Sequence, residues 1–250
     1  MAPGLRLARL LLGVACLVAA SGAAAQSGES SELRLTLYFW IAGFDGTVGA
    51  ADGGGRVDAD FSGLLDNLEL GGVMLHADWR RDRWTLFGDW AHFKVSSDAP
   101  SPFGALYAGV DAEIKGNVVQ AALGYRVMGS VDSGVDAFAG LRFYDLEARM
   151  TLQPAALAAR NLAGSDRWVD GIVGARWRGR LSRDWMLSAY GDIGAGGSDR
   201  TWQAAATVSY EFAWGAVTGG WRHLYVDYET SGLKLDAALS GPYVGATLRF

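Results

Sequence analysis

From residue 26 onward the chain is built of stretches in which every second residue is apolar, interrupted by turn residues. Val169, Gly171, Val173, Ala175 and Trp177 share one face, opposite Asp170, Gly174, Arg176 and Arg178. Trp185, Leu187, Ala189 and Ile193 oppose Ser188, Tyr190 and Asp192, and Ala204, Ala206, Val208, Tyr210 and Phe212 oppose Gln203, Thr207, Ser209 and Glu211. Val244, Ala246, Leu248 and Phe250 alternate with Gly245, Thr247 and Arg249. The same period runs through 33–41, 73–79, 119–127 and 135–143. Faces this different in polarity exclude a parallel sheet buried on both sides. About ten strands are predicted, near 32–43, 69–80, 84–95, 110–128, 135–151, 167–180, 185–196, 200–213, 215–228 and 235–250.

Two segments are irregular. On 84–95 the assignment that keeps Asp89 off the apolar face puts Trp84, Leu86 and Trp90 outside. On 110–128, Val110, Ala112 and Ile114 share the face that later carries Gln120 and Arg126, which predicts a β-bulge near Gly116. Connections alternate in length. Short links fall at 81–83, 129–134, 181–184 and 213–214, and longer ones at 45–69, 96–109, 153–166 and 229–234; a short link near Gly197 lies on the long side. Two long links contain helical signals. Phe61, Leu64, Leu65 and Leu68 follow Asp60 at helical spacing, and an alanine-rich run extends from Pro154 to Ala163.

No segment after residue 26 approaches the roughly twenty continuous apolar residues of a membrane helix. Strands can cross hydrocarbon only when every backbone N–H and C=O is paired, which requires a closed sheet. The expectation is an all-β, antiparallel transmembrane β-barrel of about ten strands (8–12) in an up-and-down meander. Aromatic residues support it by gathering at both strand ends. Trp79, Trp84, Tyr125, Trp177, Trp185, Phe212, Trp214 and Phe250 lie near the short turns, and Phe39, Trp90, Phe143, Trp168, Trp202 and Tyr243 near the long loops. The competing class is a soluble lipocalin-like barrel with an apolar interior. It leaves the two aromatic bands unexplained, and the arginines share a face with glycine, serine and aspartate.

The first residues change the compartment. Arg6 and Arg9 precede an apolar run from Leu10 to Ala20 and the small residues Ala23, Ala24 and Ala25, the plan of a secretory signal peptide. The expected organisation is a signal peptide over 1–25, cut between Ala25 and Gln26, and one barrel domain over 26–250. Cys16, the only cysteine, lies within the apolar run, and Gly13 replaces the leucine of a lipoprotein signal. A net charge of −5 argues against nucleic acid as a partner. The 35 glycines and 12 % aromatic content suit a crowded barrel interior and a lipid boundary.

With these features the chain resembles the small outer-membrane β-barrel proteins of Gram-negative bacteria. The residues carrying the resemblance are the signal ending at Ala25, Leu37-Tyr38-Phe39-Trp40, Trp168-Val169-Asp170 with Gly174-Ala175-Arg176, and Gly220-Trp221-Arg222 with Asp227-Tyr228. The ending from Gly245 through Leu248 to Phe250 looks like the signal read by the barrel assembly machinery. The resemblance implies an integral outer-membrane protein of structural, surface-interaction or narrow-pore type. Its implied surroundings are outer-membrane lipids and lipopolysaccharide, and it implies a monomer. It names no activity.

Gly-x-Arg occurs on four strands, placing Arg126, Arg142, Arg176 and Arg222 in the lumen a few residues from short turns, at one expected level. Asp78, Asp89, Asp136, Asp170 and Asp192 are candidate inward partners. Such a belt is either an anion-favouring ring or a self-neutralising ion-pair lattice, and the second reading is preferred because buried guanidiniums need partners. His76, His92 and His223 share no metal-ligand spacing, and no cofactor motif is present. Enzymatic barrels supply the alternative, a lipid hydrolase or a protease. The His-x-Ser pattern of barrel lipid hydrolases is missing, while His223 and Asp227 lie close together on one strand, as in the omptin proteases. No complete catalytic constellation emerges, and no enzyme is expected.

Overall fold

The computed structural model describes residues 31–50, 53–59, 73–100, 107–130, 132–156, 160–230 and 233–250. The signal segment, the Ala25/Gln26 junction, Cys16 and the helical pattern over 61–68 lie outside the described residues. Those described form strands and connections, with no helix among them. The strands are β1 (Ser31–Trp40), β2 (Gly43–Ala50), β3 (Gly53–Ala59), β4 (Val73–Arg81), β5 (Trp84–Pro100) and β6 (Tyr107–Gly129). They continue as β7 (Gly134–Pro154), β8 (Arg160–Arg180), β9 (Trp185–Gly196), β10 (Arg200–Glu211), β11 (Gly215–Glu229) and β12 (Leu233–Arg249).

Each predicted segment overlaps one of these strands, although 32–43 overruns β1 into β2 and 69–72 lie outside the described residues. β1 and β4 through β12 pair antiparallel in chain order, and β1 closes on β12 from Arg34↔Arg249 to Trp40↔Tyr243. The closed wall therefore has ten strands, with Ser31, Phe250 and the short turns at one end. At one such turn Asp82 adopts a positive φ of 54°, a conformation that aspartate tolerates better than most residues.

β2 and β3 are the addition that periodicity missed, in a stretch predicted as a loop. β1 stops at Trp40 beside Pro242, where Ile41 N donates to the Pro242 carbonyl at 2.9 Å. After this interruption β2 takes up the free edge of β12, from Ser240↔Gly43 to Leu233↔Ala50, and β3 folds back on β2. Glycine-rich and short of apolar alternation, this hairpin is held by the backbone partners that β12 offers.

Two further expectations are corrected. The predicted bulge near Gly116 is absent, because the β5–β6 ladder runs unbroken from Trp84↔Tyr125 to Pro100↔Gly109. The alanine-rich run is not a helix where it is described, because β7 continues to Pro154 and β8 begins at Arg160. Pairing of Leu152 with Arg160 overrides the helical preference of alanine.

What changes near Gly116 is the polarity of the two faces. Over 119–127 the outward side chains are apolar, whereas farther out Asn117, Lys115 and Glu113 take the outward positions and Val118 is buried inside. β7 repeats the switch. Val135, Ala137, Ala139, Leu141 and Phe143 face out, followed by Asp145, Glu147 and Arg149, while Tyr144 and Leu146 are buried inside. The apolar outward stretch is about nine residues long, the length a tilted strand needs to cross hydrocarbon.

Beyond that boundary the barrel has the polarity of a soluble protein. Its interior holds Trp168, Leu224, Val226, Leu235 and Leu239, all buried. Outside, Glu113 lies 3.1 Å from Lys94 and 3.5 Å from Arg149, and Arg167 lies 3.0 Å from Asp145. The hydrogen bond from Lys94 holds the Glu113 carboxyl below the usual carboxylate range. Exposed pairs of this kind add little stability, so the apolar interior carries the extension.

The aromatic bands are present with two exceptions. Trp84, Trp177, Trp185, Phe212, Trp214 and Phe250 are exposed toward the short-turn end, and Phe143, Trp202 and Trp221 toward the other. Trp168 and Tyr243 instead point inward: Trp168 stacks between Tyr144 and Tyr228, and Tyr243 packs edge-on to Tyr38.

Candidate functional site in the barrel lumen

Within the membrane-spanning part every second residue points into the lumen, and long polar side chains there must find partners. At the short-turn end Arg34 donates to Glu32 at 3.0 Å and to Glu211 at 2.9 Å. Next to them, Asp78 lies 2.5 Å from Arg176 and 2.6 Å from Arg80. Asp136 lies 2.6 Å from Arg178, 3.1 Å from Arg126 and 3.5 Å from Arg176.

A second group lies farther from the turns. Arg142, with no side-chain exposure, pairs with the equally buried Asp192 and donates to Gln120 at 2.8 Å. Tyr190 donates to Asp192 at 2.5 Å and accepts from Gln120 at 2.7 Å. Arg222 reaches Asp89 at 2.9 Å, Tyr38 at 2.5 Å and Gln203 at 2.8 Å.

The four Gly-x-Arg arginines all enter the lumen, but they do not form one ring. Arg126 and Arg176 share Asp136, whereas Arg142 and Arg222 hold separate carboxylates. The glycine of the motif supplies room for a neighbouring ring: a Cβ at Gly174 would sit 2.5 Å from Phe138 Cζ. Asp170 departs from its expected role. It stands opposite Arg142 in the ladder but accepts from Ser198 N at 2.8 Å and Ser198 Oγ at 2.7 Å, pinning the β9–β10 turn. Of the residues at the chain's end, Gly245 packs against Tyr38, while Leu248 and Phe250 face outward and are exposed.

Arg80, Arg178, Gln120, Tyr190 and Gln203 were missed as members of the lattice. For Arg80, Arg178 and Tyr190 the available signal was their place two residues from a recognised inward charge, as in Asp78/Arg80 and Arg176/Arg178.

The histidines are separated. His76 lies 3.4 Å from Asp89, His92 bonds Asn117 at 3.1 Å, and His223 stacks on Trp202 with ring centroids 4.5 Å apart. Asp227 pairs with Arg200 at 3.1 Å. Among the described residues no group of three His, Cys, Asp or Glu side chains is placed to hold a metal.

Space in the lumen is divided. A cavity of about 220 Å³ lies in the polar part, bounded by the arginine-bearing wall and by small side chains of β9 to β12 such as Ser188, Ala205, Ser209 and Thr218. In the outer part a cavity of about 20 Å³ remains among Phe44, Phe93, Val118, Leu224 and their neighbours.

No protein-family model matches the chain, and no curated protein does. Solved structures similar to it are outer-membrane barrels. Ail, the attachment invasion locus protein of Yersinia pestis, is 11 % identical, with 88 % of this chain and 99 % of that one covered and a TM-score of 0.39. The translocator domain of the autotransporter NalP from Neisseria meningitidis is 14 % identical, with 98 % and 97 % covered and a TM-score of 0.41. The toluene transporter TodX of Pseudomonas putida is 10 % identical, with 87 % and 89 % covered and a TM-score of 0.36. A closed antiparallel wall, an apolar outward belt between aromatic bands and a charged lumen make this chain an integral outer-membrane β-barrel protein.

Proposed function

We propose that the protein is a non-conducting barrel that anchors a rigid, surface-exposed β-extension, and that it works by surface interaction rather than by passage of solutes or by catalysis. One observation carries this reading: the outer part of the lumen is packed with apolar side chains around a cavity of about 20 Å³, room for about one water. Below it, Arg142 and Arg222 tie several strands together across the lumen. An extension with an apolar core and a charged exterior is suited to holding loops at fixed positions above the membrane.

In this reading the chain reaches the outer membrane through a signal peptide cut after Ala25. It is folded by the barrel assembly machinery, for which Gly245, Leu248 and Phe250 serve as the signal. It acts as a monomer surrounded by lipid and lipopolysaccharide. Purified protein in a planar bilayer is expected to give no conductance steps, and reproducible single-channel steps would reject the sealed-barrel reading.

A further inference from the structure

We propose that the polar cavity is a binding site for a small oxyanion of the phosphate class, reached from the short-turn end of the barrel. This chamber is embedded in the membrane, and its occupant is independent of what the outer surface binds. Charge around it is imbalanced. The guanidiniums of Arg80, Arg126, Arg176 and Arg178 share the carboxylates of Asp78 and Asp136, with Glu32 3.7 Å from Arg80 as a more distant acceptor. Asp89, the other carboxylate bordering the cavity, is taken by Arg222, Tyr38 and His76.

The imbalance leaves donors without acceptors. Arg176 and Arg178 are more than nine-tenths buried and both border the cavity. The Nε of Arg176 and the Nη1 of Arg178 make no hydrogen bond, and the Nη2 of Arg176 reaches only to 3.5 Å from Asp136. A buried guanidinium with unmet donors is costly, and charge-assisted bonds to a phosphate-type oxygen are the strong way to satisfy it. Of the other guanidiniums beside the cavity, Arg222 bonds Gln203, Tyr38 and Asp89, Arg34 is held by Glu32 and Glu211, and the Nε of Arg80 lies 2.6 Å from Asp78. Arg176 and Arg178, which carry these donors, line one side of the chamber.

The strands that follow β8 make room. Ser188, which faces Arg178 across the β8–β9 ladder, and Ala205, Ser209 and Thr218 present short side chains where longer ones would fill the lumen. The resulting volume of about 220 Å³ far exceeds the roughly 10–15 Å³ that admits one water. Arg34 and Arg80 border the cavity and keep 17 % and 13 % side-chain exposure, which leaves a route toward the short-turn end.

The test is thermal unfolding of the folded protein in an uncharged maltoside detergent, followed by tryptophan fluorescence. Inorganic phosphate is titrated against chloride at equal ionic strength, and a parallel series adds phosphatidylglycerol to the micelles. Phosphate is expected to raise the midpoint saturably, by roughly 5 °C near saturation, while chloride leaves it unchanged. A response to phosphate assigns a free anion, and one confined to the lipid assigns a headgroup phosphate.

Two variants locate the site. Arg178→Gln removes an unmet donor and is expected to lose most of the shift. Ala205→Glu places a carboxylate in the cavity and is expected to raise the midpoint without phosphate and abolish the response. Should Arg178→Gln fail to fold, Ala205→Glu decides alone. Loss of the response in either folded variant supports the site. A wild-type protein indifferent to both phosphate and lipid, or a shift kept by every folded variant, overturns it.

Discussion

Replacement of Asp192 by alanine is expected to lower the stability of the folded barrel by about 3–5 kcal/mol, because it leaves a guanidinium buried without its counter-charge. Arg142 and Asp192 both have side chains with no exposure, and the other acceptors of Arg142, Gln120 and Thr201, are neutral. The hydroxyl of Tyr190 loses its acceptor in the same change. The measurement is equilibrium unfolding of detergent-solubilised protein in guanidinium chloride, compared by midpoint at constant slope. The paired replacement Arg142→Leu with Asp192→Leu is expected to be much less harmful than Asp192→Ala, since it removes both charges together. A single variant within about 1 kcal/mol of wild type would show that water or another group already neutralises Arg142.

The second large effect is spatially confined. Leu224 is 1 % exposed and packs beside Phe44, Phe93 and Val118 in the outer part of the lumen. Leu224→Glu places an unpaired carboxylate in that core, at an expected cost of more than about 3 kcal/mol. The membrane-spanning part has its own ion-pair lattice in the lumen, so the outer extension is expected to open while the barrel remains folded. In liposomes, external protease should cut the variant's outer strands and leave a membrane-protected, heat-modifiable remainder, whereas the wild type should resist. Equal resistance in the two proteins would mean that the outer core is dispensable. Loss of the whole barrel would mean that the two parts are not separable.

The membrane-spanning fold was legible because hydrocarbon imposes a simple rule on every second residue. Val169 to Trp177 and Val135 to Phe143 could be oriented from sequence because one face was lipid-compatible and the other was not. Asp89 could be placed inward despite its apolar neighbours, and the structure has it bonded to Tyr38 and Arg222. The outer part was harder to read because the rule reverses there. Val110, Ala112 and Ile114 looked like residues out of phase, and a bulge was the local explanation, yet the register is continuous and the environment changes instead.

Trp168 counted toward the aromatic band near the long loops, although it belongs to an aromatic stack within the outer core. The β2–β3 hairpin left no periodic signal, since its strands are glycine-rich and exist by completing the edge of β12. The lumen was legible as a list of charges but not as a set of pairs. Spacing on one strand cannot reveal that Asp136 serves Arg126, Arg176 and Arg178 while Asp170 serves a serine in a turn.

The reversal of polarity along single strands can be followed residue by residue on β7. Single cysteines placed at 135, 137, 139, 141, 143, 145, 147 and 149 can be spin-labelled in a chain whose only native cysteine is Cys16. In liposomes, accessibility to oxygen is expected to peak near 139, and accessibility to a water-soluble relaxant to rise sharply from 145 to 149. Aqueous accessibility that is uniform along the series, or a lipid signature persisting through 149, would contradict it.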